Sequence, residues 1–217
     1  MTVQPQLSTE ILNENTKGKF IVFEGIDGAG KSTQIALLEK RLKSEGITVV
    51  TTAEPTPTAM GGLIRDALSG ASPKSSCELA AMFLSDRISH NISPIYGIQR
   101  LINDGTYVIC DRYYYSSFAY QGLDTDIDWV MDINLNCPQI LKPDVCIFLD
   151  LDPSQSARRL GDSRAFLEIF EKTDTLEKIR SRFFDVFRLL GERENIRIVD
   201  ASQSIEDVAQ EVYRNIF

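Results

Sequence analysis

The stretch Gly25-Ile26-Asp27-Gly28-Ala29-Gly30-Lys31-Ser32 decides the fold. It matches the pattern G-x-x-x-x-G-K-[S/T], in which glycines let backbone N–H groups curl around a phosphate without a Cβ in the way. The apolar run Phe20–Phe23 precedes it, and a helical pattern follows directly. A glycine-rich turn with an exposed lysine is the alternative, but it does not explain why strand, loop and helix occur in this order. The sequence therefore predicts a phosphate-binding loop.

Two side chains of this loop have predicted roles toward a nucleoside triphosphate. Lys31 supplies a positive charge between the β- and γ-phosphates, and the Ser32 hydroxyl is a ligand for a Mg²⁺ ion that bridges them. The predicted nucleotide contacts of the loop are Gly25, Ile26, Asp27, Gly28, Ala29, Gly30, Lys31, Ser32 and Thr33. Switches and motors use the same loop, so the acceptor of the phosphoryl group has to be inferred from other residues.

Alternation of strand and helix patterns predicts an α/β fold. Five apolar, β-branched runs predict short buried strands at Phe20–Phe23, Thr48–Thr52, Tyr107–Cys110, Val145–Leu149 and Ile196–Val199. A helical period runs from Gln34 to Leu42, and a longer one covers Cys77–Leu101. We therefore expect a three-layer sandwich with a five-stranded parallel sheet, the P-loop NTPase fold, with ligands beyond the carboxyl ends of the strands.

Composition limits the partners and the compartment. The 217 residues are 43% hydrophobic and carry a net charge of −8, so we expect one domain that binds neither nucleic acid nor membranes. No apolar run reaches the ~18–20 residues of a spanning helix. The four cysteines form no C-x-x-C pair, which predicts reduced, buried thiols in a cytoplasmic protein. The expected division is a flexible leader over residues 1–17 and a kinase domain over 18–217, with a mobile lid at about 155–172.

An acceptor site is predicted after the third strand and on the helix before it. Asp111 and Arg112 end that strand, where they would face the phosphate loop. Phe83 and Arg87 lie four residues apart, so an aromatic face and a cation would project into one cleft, as a base bearing a phosphate requires. A core position for Phe83 and a structural Asp111–Arg112 ion pair are the alternatives on these residues. His90, the single histidine, is predicted to lie on the helix surface.

The chain resembles thymidylate kinases in FEGIDGAGKSTQ, Glu54-Pro55, Phe83-x-x-x-Arg87 and DRYYYSSFAYQG, which occur in the family's order over roughly residues 19–217. The resemblance implies transfer of the γ-phosphoryl group of ATP to thymidylate (dTMP) with Mg²⁺, in a two-fold homodimer. The apolar face of the Cys77–Leu101 pattern is the candidate interface.

The resemblance also implies a role for each matching residue. Asp27 bonds the sugar 3′-hydroxyl, Phe83 stacks on thymine and Arg87 reaches the base edge. Arg112 holds the acceptor phosphate, and Asp111 helps order the magnesium shell. Ser117 lies near the base and Tyr120 lies beneath the sugar. The remaining predicted acceptor contacts are Glu54, Pro55, Ser116 and Gln121, and the predicted donor contacts near the adenine are Asp200, Ala201 and Ser202, whose alternative is an ordinary helix cap.

Two departures from the family concern cations. Gly28 stands where some relatives carry an arginine, so we expect the lid to supply it from Arg158 and Arg164, with Arg159 a weaker candidate. A solvated, charged helix end is the alternative for each of the three. Ala53 replaces a family arginine before Glu54-Pro55, and Arg65 is the candidate to compensate.

Two other activities remain open at this point. A kinase for another nucleoside monophosphate, or for a nucleoside, would keep the loop and change the acceptor pocket. A GTPase-like switch would need an Asn-Lys-x-Asp segment to read the base, and the sequence has none. In either kinase, transfer is expected to be direct and in line.

Overall fold

A five-stranded, all-parallel sheet forms the centre of the computed structural model, which describes residues 17–160 and 173–217. The strands are β1 (Phe20–Glu24), β2 (Val49–Ala53), β3 (Tyr107–Asp111), β4 (Val145–Asp150) and β5 (Ile196–Asp200), in the order β2-β3-β1-β4-β5. The helices are α1 (Lys31–Ser44), α2 (Ala59–Leu68), α3 (Ser76–Ile92), α4 (Ile98–Asn103), α5 (Tyr114–Tyr120), α6 (Ile127–Leu135), α7 (Pro153–Leu160), α8 (Thr173–Leu190) and α9 (Ile205–Ile216). The predicted α/β fold is confirmed. Residues 1–16 of the predicted leader and residues 161–172 of the predicted lid lie outside the described residues.

All five predicted strands are present, and each runs one residue further than predicted at its carboxyl end. In four of them that last residue is acidic, namely Glu24, Asp111, Asp150 and Asp200. The expectation that all five are buried is wrong for the two edge strands, where Val50 and Ile198 are 38% and 48% exposed. An edge strand has a neighbour on one side only, so the rest of the fold covers it less completely.

The long helical pattern over Cys77–Leu101 is two helices, contrary to the prediction. α3 ends at Ile92, and α4 begins at Ile98 after a turn closed by a hydrogen bond from Gly97 N to Ser93 O of 2.9 Å. Pro94 explains the break, because proline lacks a backbone N–H and disfavours helical geometry in the residue before it. The apolar period alone does not register this interruption.

Helices cover the sheet with apolar faces. In α1 the buried residues Ile35, Leu38 and Leu42 recur at helical spacing and face the core, and α9 packs beside α1 through Val208 and Val212. On α5 and α8, aromatic side chains dominate the contact. Within the described ranges, no helix combines the length and apolar content that crossing a membrane would require.

The cysteines fit the prediction only in part. All four are free thiols, and Cys110 and Cys146 are buried in β3 and β4, as expected for the middle strands of the sheet. Cys77 is exposed in the first turn of α3, and Cys137 is partly exposed, so the expectation of four buried thiols is wrong.

Candidate active site

The loop between β1 and α1 has the backbone geometry of a phosphate cradle. Gly25 and Gly30 have φ values of 142° and 99°, which a residue with a Cβ rarely adopts. At Gly25 a Cβ would also lie 2.7 Å from the carbonyl oxygen of Leu149. The loop then enters α1 directly at Lys31. Gly25 therefore allows a turn where a Cβ would not fit, whereas Gly30 allows a backbone conformation that would be strained in other residues.

Lys31 lies folded over this loop. Its Nζ donates to the carbonyl oxygens of Gly25 at 3.0 Å and Ile26 at 3.3 Å, and it lies 3.9 Å from the Asp27 carboxylate. Burial lowers the pKa of Lys31, and the nearby Arg112 acts in the same direction, while surrounding carboxylates oppose them. The ammonium group is thus fixed inside the loop, where a triphosphate would have to bind.

Arg112 projects from the end of β3 toward the phosphate loop. Its guanidinium is paired with the Asp27 carboxylate and also donates to Ser116 Oγ at 3.1 Å and Tyr120 Oη at 3.3 Å. Burial acts to lower the pKa of Arg112, but Tyr120 and the carboxylates of Asp27, Glu24 and Asp111 outweigh it and raise that pKa well above its ordinary value. The structural ion pair between Arg112 and Asp111 is not what forms, because Arg112 reaches Asp27 instead.

Asp111 and Ser32 are the two predicted metal ligands, and both line the cleft described below. Asp111 Oδ1 is buried and has no hydrogen-bond partner among the described residues. A buried carboxylate oxygen without a partner is unusual and suits a hard cation or its water shell. In the same part of the chain, no group of three or more histidine, cysteine or acidic side chains could cage a metal. The oxygen ligands present therefore fit a Mg²⁺ ion carried in by a nucleotide.

Arg87 is fully buried at the other end of the cleft. It contacts Glu54 Oε2 through Nε and Nη2, each at 2.8 Å, and donates to Asn134 Oδ1 at 2.5 Å and Ser117 Oγ at 3.2 Å. The buried charge is thus matched by a carboxylate and two neutral oxygens. Sequence analysis missed Asn134, since it lies on α6, 47 residues from Arg87, and no local pattern marks it.

His90 belongs to the same cluster, and its predicted surface position is wrong. It is 9% exposed, with Nδ1 lying 3.0 Å from Glu54 Oε1 and Nε2 lying 2.8 Å from Thr52 Oγ1. His90 lies three residues after Arg87, so both side chains leave α3 on the same face. That face meets the ends of β2 and β3, which a helical pattern alone does not indicate.

Phe83 completes this face of α3. It is half-buried, lies outside the hydrophobic core and lines the cleft, so the alternative of a core position is wrong. On the same helix, Asp86 accepts hydrogen bonds from Thr56 N at 2.8 Å and Thr56 Oγ1 at 2.6 Å, which fixes the turn after Pro55. Arg65 also reaches this turn, donating to Pro55 O at 3.1 Å and Thr56 O at 2.8 Å.

A cleft of about 1080 Å³ joins the phosphate loop to this second cluster. The predicted site residues that line it are Asp27, Gly28, Ala29, Gly30, Lys31, Ser32, Thr33, Glu54, Pro55, Phe83, Arg87, Asp111, Arg112, Ser116, Ser117, Tyr120, Gln121 and Ala201. Arg65 and Arg159 line it as well. The predicted residues that do not are Gly25, Ile26, Arg158, Asp200 and Ser202, and Arg164 lies outside the described residues. Strand-end loops far apart in sequence thus form one elongated site.

Comparison with known proteins decides the family. The thymidylate kinase family model matches residues 23–212. The chain belongs to the thymidylate kinase family. It is 38% identical over 206 residues to the "Probable thymidylate kinase" of Thermococcus gammatolerans, covering 90% of this chain and 94% of that protein. It is 36% identical over 208 residues to the thymidylate kinase of Desulfotalea psychrophila, covering 93% and 96%.

A solved structure supports the same assignment. The thymidylate kinase of Candida albicans superimposes with a TM-score of 0.76 at 25% identity, covering 92% of this chain and 91% of that one. The protein is therefore an ATP-dependent phosphotransferase of the thymidylate kinase family, with the P-loop fold predicted from its sequence. Family membership removes the GTPase-like alternative.

In this thymidylate kinase fold, α7 contacts both the phosphate loop and the loop after β5. The Ser156 hydroxyl, buried on α7, donates to the carbonyl oxygen of Asp27. Arg159 donates to Ala201 O at 3.0 Å and lines the cleft. Arg158 is exposed and donates to Ser154 Oγ of its own helix at 3.4 Å. The two neighbouring arginines therefore have different surroundings.

Proposed function

We propose that this protein transfers the γ-phosphoryl group of ATP to dTMP, giving dTDP and ADP for dTTP synthesis. One observation carries the proposal: Arg112 contacts Asp27 of the phosphate loop, so a cation for an acceptor phosphate lies beside the cradle of the donor triphosphate. A switch or motor needs no such second cation. Two phosphates held end to end in one cleft is the arrangement that direct transfer requires.

The donor half of the proposal rests on the loop and on α1. Backbone N–H groups of residues 25–33 would hold the triphosphate, with Lys31 between its β- and γ-phosphates. Ser32 and Asp111 would hold a Mg²⁺ ion directly or through water, and that ion would neutralise part of the phosphate charge. The donor adenine would lie toward Asp200–Ser202, where Ala201 and Arg159 line the cleft.

The acceptor half rests on the cluster around Arg87. Phe83 offers an aromatic face for the thymine ring, and Arg87 and Ser117 offer polar groups at its edge. Arg87 is held on three sides by Glu54, Asn134 and Ser117, so its guanidinium loses little freedom when a base binds. Gln121 and Pro55 would border the nucleotide.

The sugar would lie between the two halves of the cleft. Asp27 would accept a hydrogen bond from its 3′-hydroxyl, and the Tyr120 ring would lie beneath it. Tyr120 is 9% exposed and its hydroxyl is engaged by Arg112, so the ring has little freedom to move away from a 2′-hydroxyl. The proposal therefore favours deoxyribonucleotides.

Catalysis in this proposal comes from placed cations and exclusion of water. The attacking oxygen belongs to the acceptor phosphate, which Arg112 orients, and the leaving group is ADP. Because Gly28 brings no cation into the loop, Arg158 and Arg164 of the lid remain our candidates for the additional charge. Transfer in this proposal is direct, without a covalent enzyme intermediate.

We also propose a cytoplasmic homodimer built from one kinase domain per chain, residues 18–217, with a lid at about 155–172. α2 packs against α3; Leu63 of α2 is 55% exposed, and Met82 and Leu84 of α3 are half-buried. Such a surface suits an isologous contact. Light scattering of the purified protein tests it.

An acceptor panel tests the proposed reaction. ADP release is measured with dTMP, dUMP, UMP and CMP, and with no acceptor, in the presence of ATP and Mg²⁺. We expect turnover that depends on dTMP, with UMP and CMP slower by at least about 100-fold. Lys31→Met is the matched negative control, since it keeps the volume and removes the charge. Preference for another acceptor, or ADP release without one, would reject dTMP as the substrate.

A further inference from the structure

Glu24 is the last residue of β1 and stands directly before the phosphate loop, but none of the roles discussed so far involves it. It is fully buried, with 0% of its surface exposed. Burial raises the pKa of this carboxyl, while the charge of Arg112 and several hydrogen bonds act in the opposite direction. A carboxyl group at such a depth needs partners, and those partners all lie at the start of α5.

The carboxylate of Glu24 substitutes for a missing helix cap. Tyr113 occupies the N-cap position of α5 and its side chain makes no capping bond. Glu24 Oε1 instead accepts from the backbone N–H groups of Tyr113 at 2.9 Å and Ser116 at 3.0 Å. Ser116 N also bonds Tyr113 O at 3.1 Å, whereas Tyr113 N lies too early in the helix for a partner within it, so a carboxylate from a neighbouring strand supplies one.

Arg112 lies immediately before this capped turn, in an unfavourable backbone conformation. Its φ of 68° is the only positive value of a non-glycine residue in the described part of the chain. Arg112 N donates to Phe23 O at 2.9 Å, and the next amide, Tyr113 N, donates to Glu24. Two successive residues of β1 therefore hold the backbone on both sides of Arg112. A strained conformation persists only where its surroundings fix it in this way.

Glu24 also reaches the side chain of Arg112, through Ser116. Glu24 Oε2 accepts from the Ser116 hydroxyl at 2.7 Å, and Ser116 Oγ in turn accepts from Arg112 Nη1 at 3.1 Å. A hydroxyl that donates in one direction and accepts in another has its proton fixed. The backbone and the guanidinium of Arg112 thus both depend on one carboxylate.

We propose that Glu24 is a positioning residue that holds Arg112 at the angle needed for the acceptor phosphate, and so couples the donor loop to the acceptor site. This rests on the proposed function of Arg112. Glu24 acts through the length of its side chain and its hydrogen bonds, and its negative charge takes no part in the reaction. A misplacement of about 1 Å at a reacting group is enough to cost roughly 100-fold in rate.

Two substitutions distinguish the effect of side-chain length at position 24 from the effect of charge. Glu24→Gln keeps the length and can keep all three hydrogen bonds, because the Ser116 hydroxyl can accept from an amide NH₂ as well as from Arg112. Glu24→Asp keeps the charge but is one methylene too short to reach the helix start. We expect kcat/KM for dTMP to stay within about fivefold in Glu24→Gln and to fall at least about 30-fold in Glu24→Asp.

The affinity for ATP is the second readout, since a purely structural role would not spare it. Calorimetry should give a Kd for ATP within about threefold of the parent in both variants. In contrast, kcat/KM for dTMP should fall only in Glu24→Asp. Asp144→Ala is the matched control: Asp144 accepts a hydrogen bond from Phe20 N at 2.7 Å at the opposite end of β1, outside the cleft. Its dTMP kinetics should equal those of the parent.

Three results would overturn the inference. The first is the reverse order, with Glu24→Asp active and Glu24→Gln impaired, which would assign the role to charge. The second is a parallel loss of ATP and dTMP affinity in both variants. If Glu24→Asp does not fold, Ser116→Ala decides, because unchanged dTMP kinetics there would remove the link to Arg112. Failure of the parent enzyme to phosphorylate dTMP would instead reject the proposed function.

Discussion

Arg112 and Asp27 form an ion pair across the cleft, joining the residue after β3 to the middle of the phosphate loop. The two are 85 residues apart in sequence and half-buried. Their contact places the Arg112 guanidinium within one hydrogen bond of the phosphate loop. Because Arg112 is the cation that we propose for the acceptor phosphate, we expect its substitution to change acceptor binding more than ATP binding.

Arg112→Lys should weaken acceptor binding although it conserves the charge. A lysine has no planar fork and cannot bond Asp27, Ser116 and Tyr120 together. We expect KM for dTMP to rise at least about tenfold and KM for ATP to change less than about threefold. Steady-state kinetics with each substrate varied in turn measures this, and Arg188→Lys, on an exposed turn of α8, is the control. Equal changes in both KM values would contradict the assignment.

Because the backbone of Arg112 is in the left-handed region, we expect a glycine at this position to be more stable than an alanine, the reverse of the usual order. Arg112→Ala and Arg112→Gly both lose the guanidinium, but only glycine adopts a φ of 68° without strain. We expect the glycine variant to have the higher free energy of unfolding, by about 1 kcal/mol. Urea titrations of the two variants test this. A more stable alanine variant would mean that the backbone relaxes when the side chain is removed.

Two neighbouring glycines of α2 should respond in opposite directions. A Cβ at Gly61 would lie 1.8 Å from the carbonyl oxygen of Thr56, whereas a Cβ at Gly62 would meet nothing within 4 Å. Gly61→Ala should therefore lower the free energy of unfolding by about 2 kcal/mol or more and displace the turn that carries Glu54 and Pro55. Gly62→Ala should raise it by about 0.5–1 kcal/mol.

Thermal unfolding and dTMP kinetics of both glycine variants provide the measurement. We expect KM for dTMP to rise in Gly61→Ala, because Thr56 O accepts from Arg65 at the edge of the cleft. If the Gly61→Ala and Gly62→Ala proteins were equally stable, the turn after Pro55 would be able to move and accommodate the Cβ at little cost, contrary to this prediction.

The start of α3 should give a pH-dependent contribution to stability. Ser75 and Glu78 form a capping box, and hydrogen bonds from Ser75 N and Oγ lower the pKa of Glu78. A carboxyl whose folded-state pKa is lowered stabilises the fold above its unfolded pKa, and that contribution is lost as the pH falls through the folded pKa. Ser75→Ala should therefore destabilise the protein more at neutral pH than below pH ~4.

Urea midpoints of the parent and Ser75→Ala at the two pH values provide the test. Ser69→Ala is the control, since Ser69 Oγ donates to Asp66 O and touches no carboxylate. A pH-independent difference would mean that the Glu78 charge does not contribute to the cap.

The two arginines of α7 should affect different kinetic constants. Arg159 lines the cleft and bonds Ala201 O, so Arg159→Ala should raise KM for ATP by about tenfold with less effect on kcat. Arg158 bonds only Ser154 on its own helix among the contacts described, which leaves it available to a closing lid. Arg158→Ala should lower kcat more than it raises either KM. Identical profiles for the two variants would remove this distinction.

The phosphate loop and the five strands could be predicted from the sequence because they depend on local signals. The roles of the acceptor residues follow from the family resemblance and stay predictions. A glycine pattern before a helix, β-branched runs and the four-residue spacing of Phe83 and Arg87 are each complete within a short segment. The length of the helix after Cys77 was predicted wrongly, because its apolar period continues across Pro94. Periodicity reports which face is apolar and carries no information on where the backbone hydrogen bonds stop.

The positions of polar side chains relative to one another required the tertiary structure. His90, Asn134 and Glu24 have no pattern of their own, and each has its function set by a partner that is 36, 47 or 92 residues away. The sequence by itself determined that a nucleotide phosphate would be held after the first strand, since backbone geometry and a single lysine suffice for that. Only the packing of β1 against β3 and of α3 against the strand ends decided how Arg112 and Arg87 are held, because buried polar groups must find partners that burial, not sequence distance, brings near.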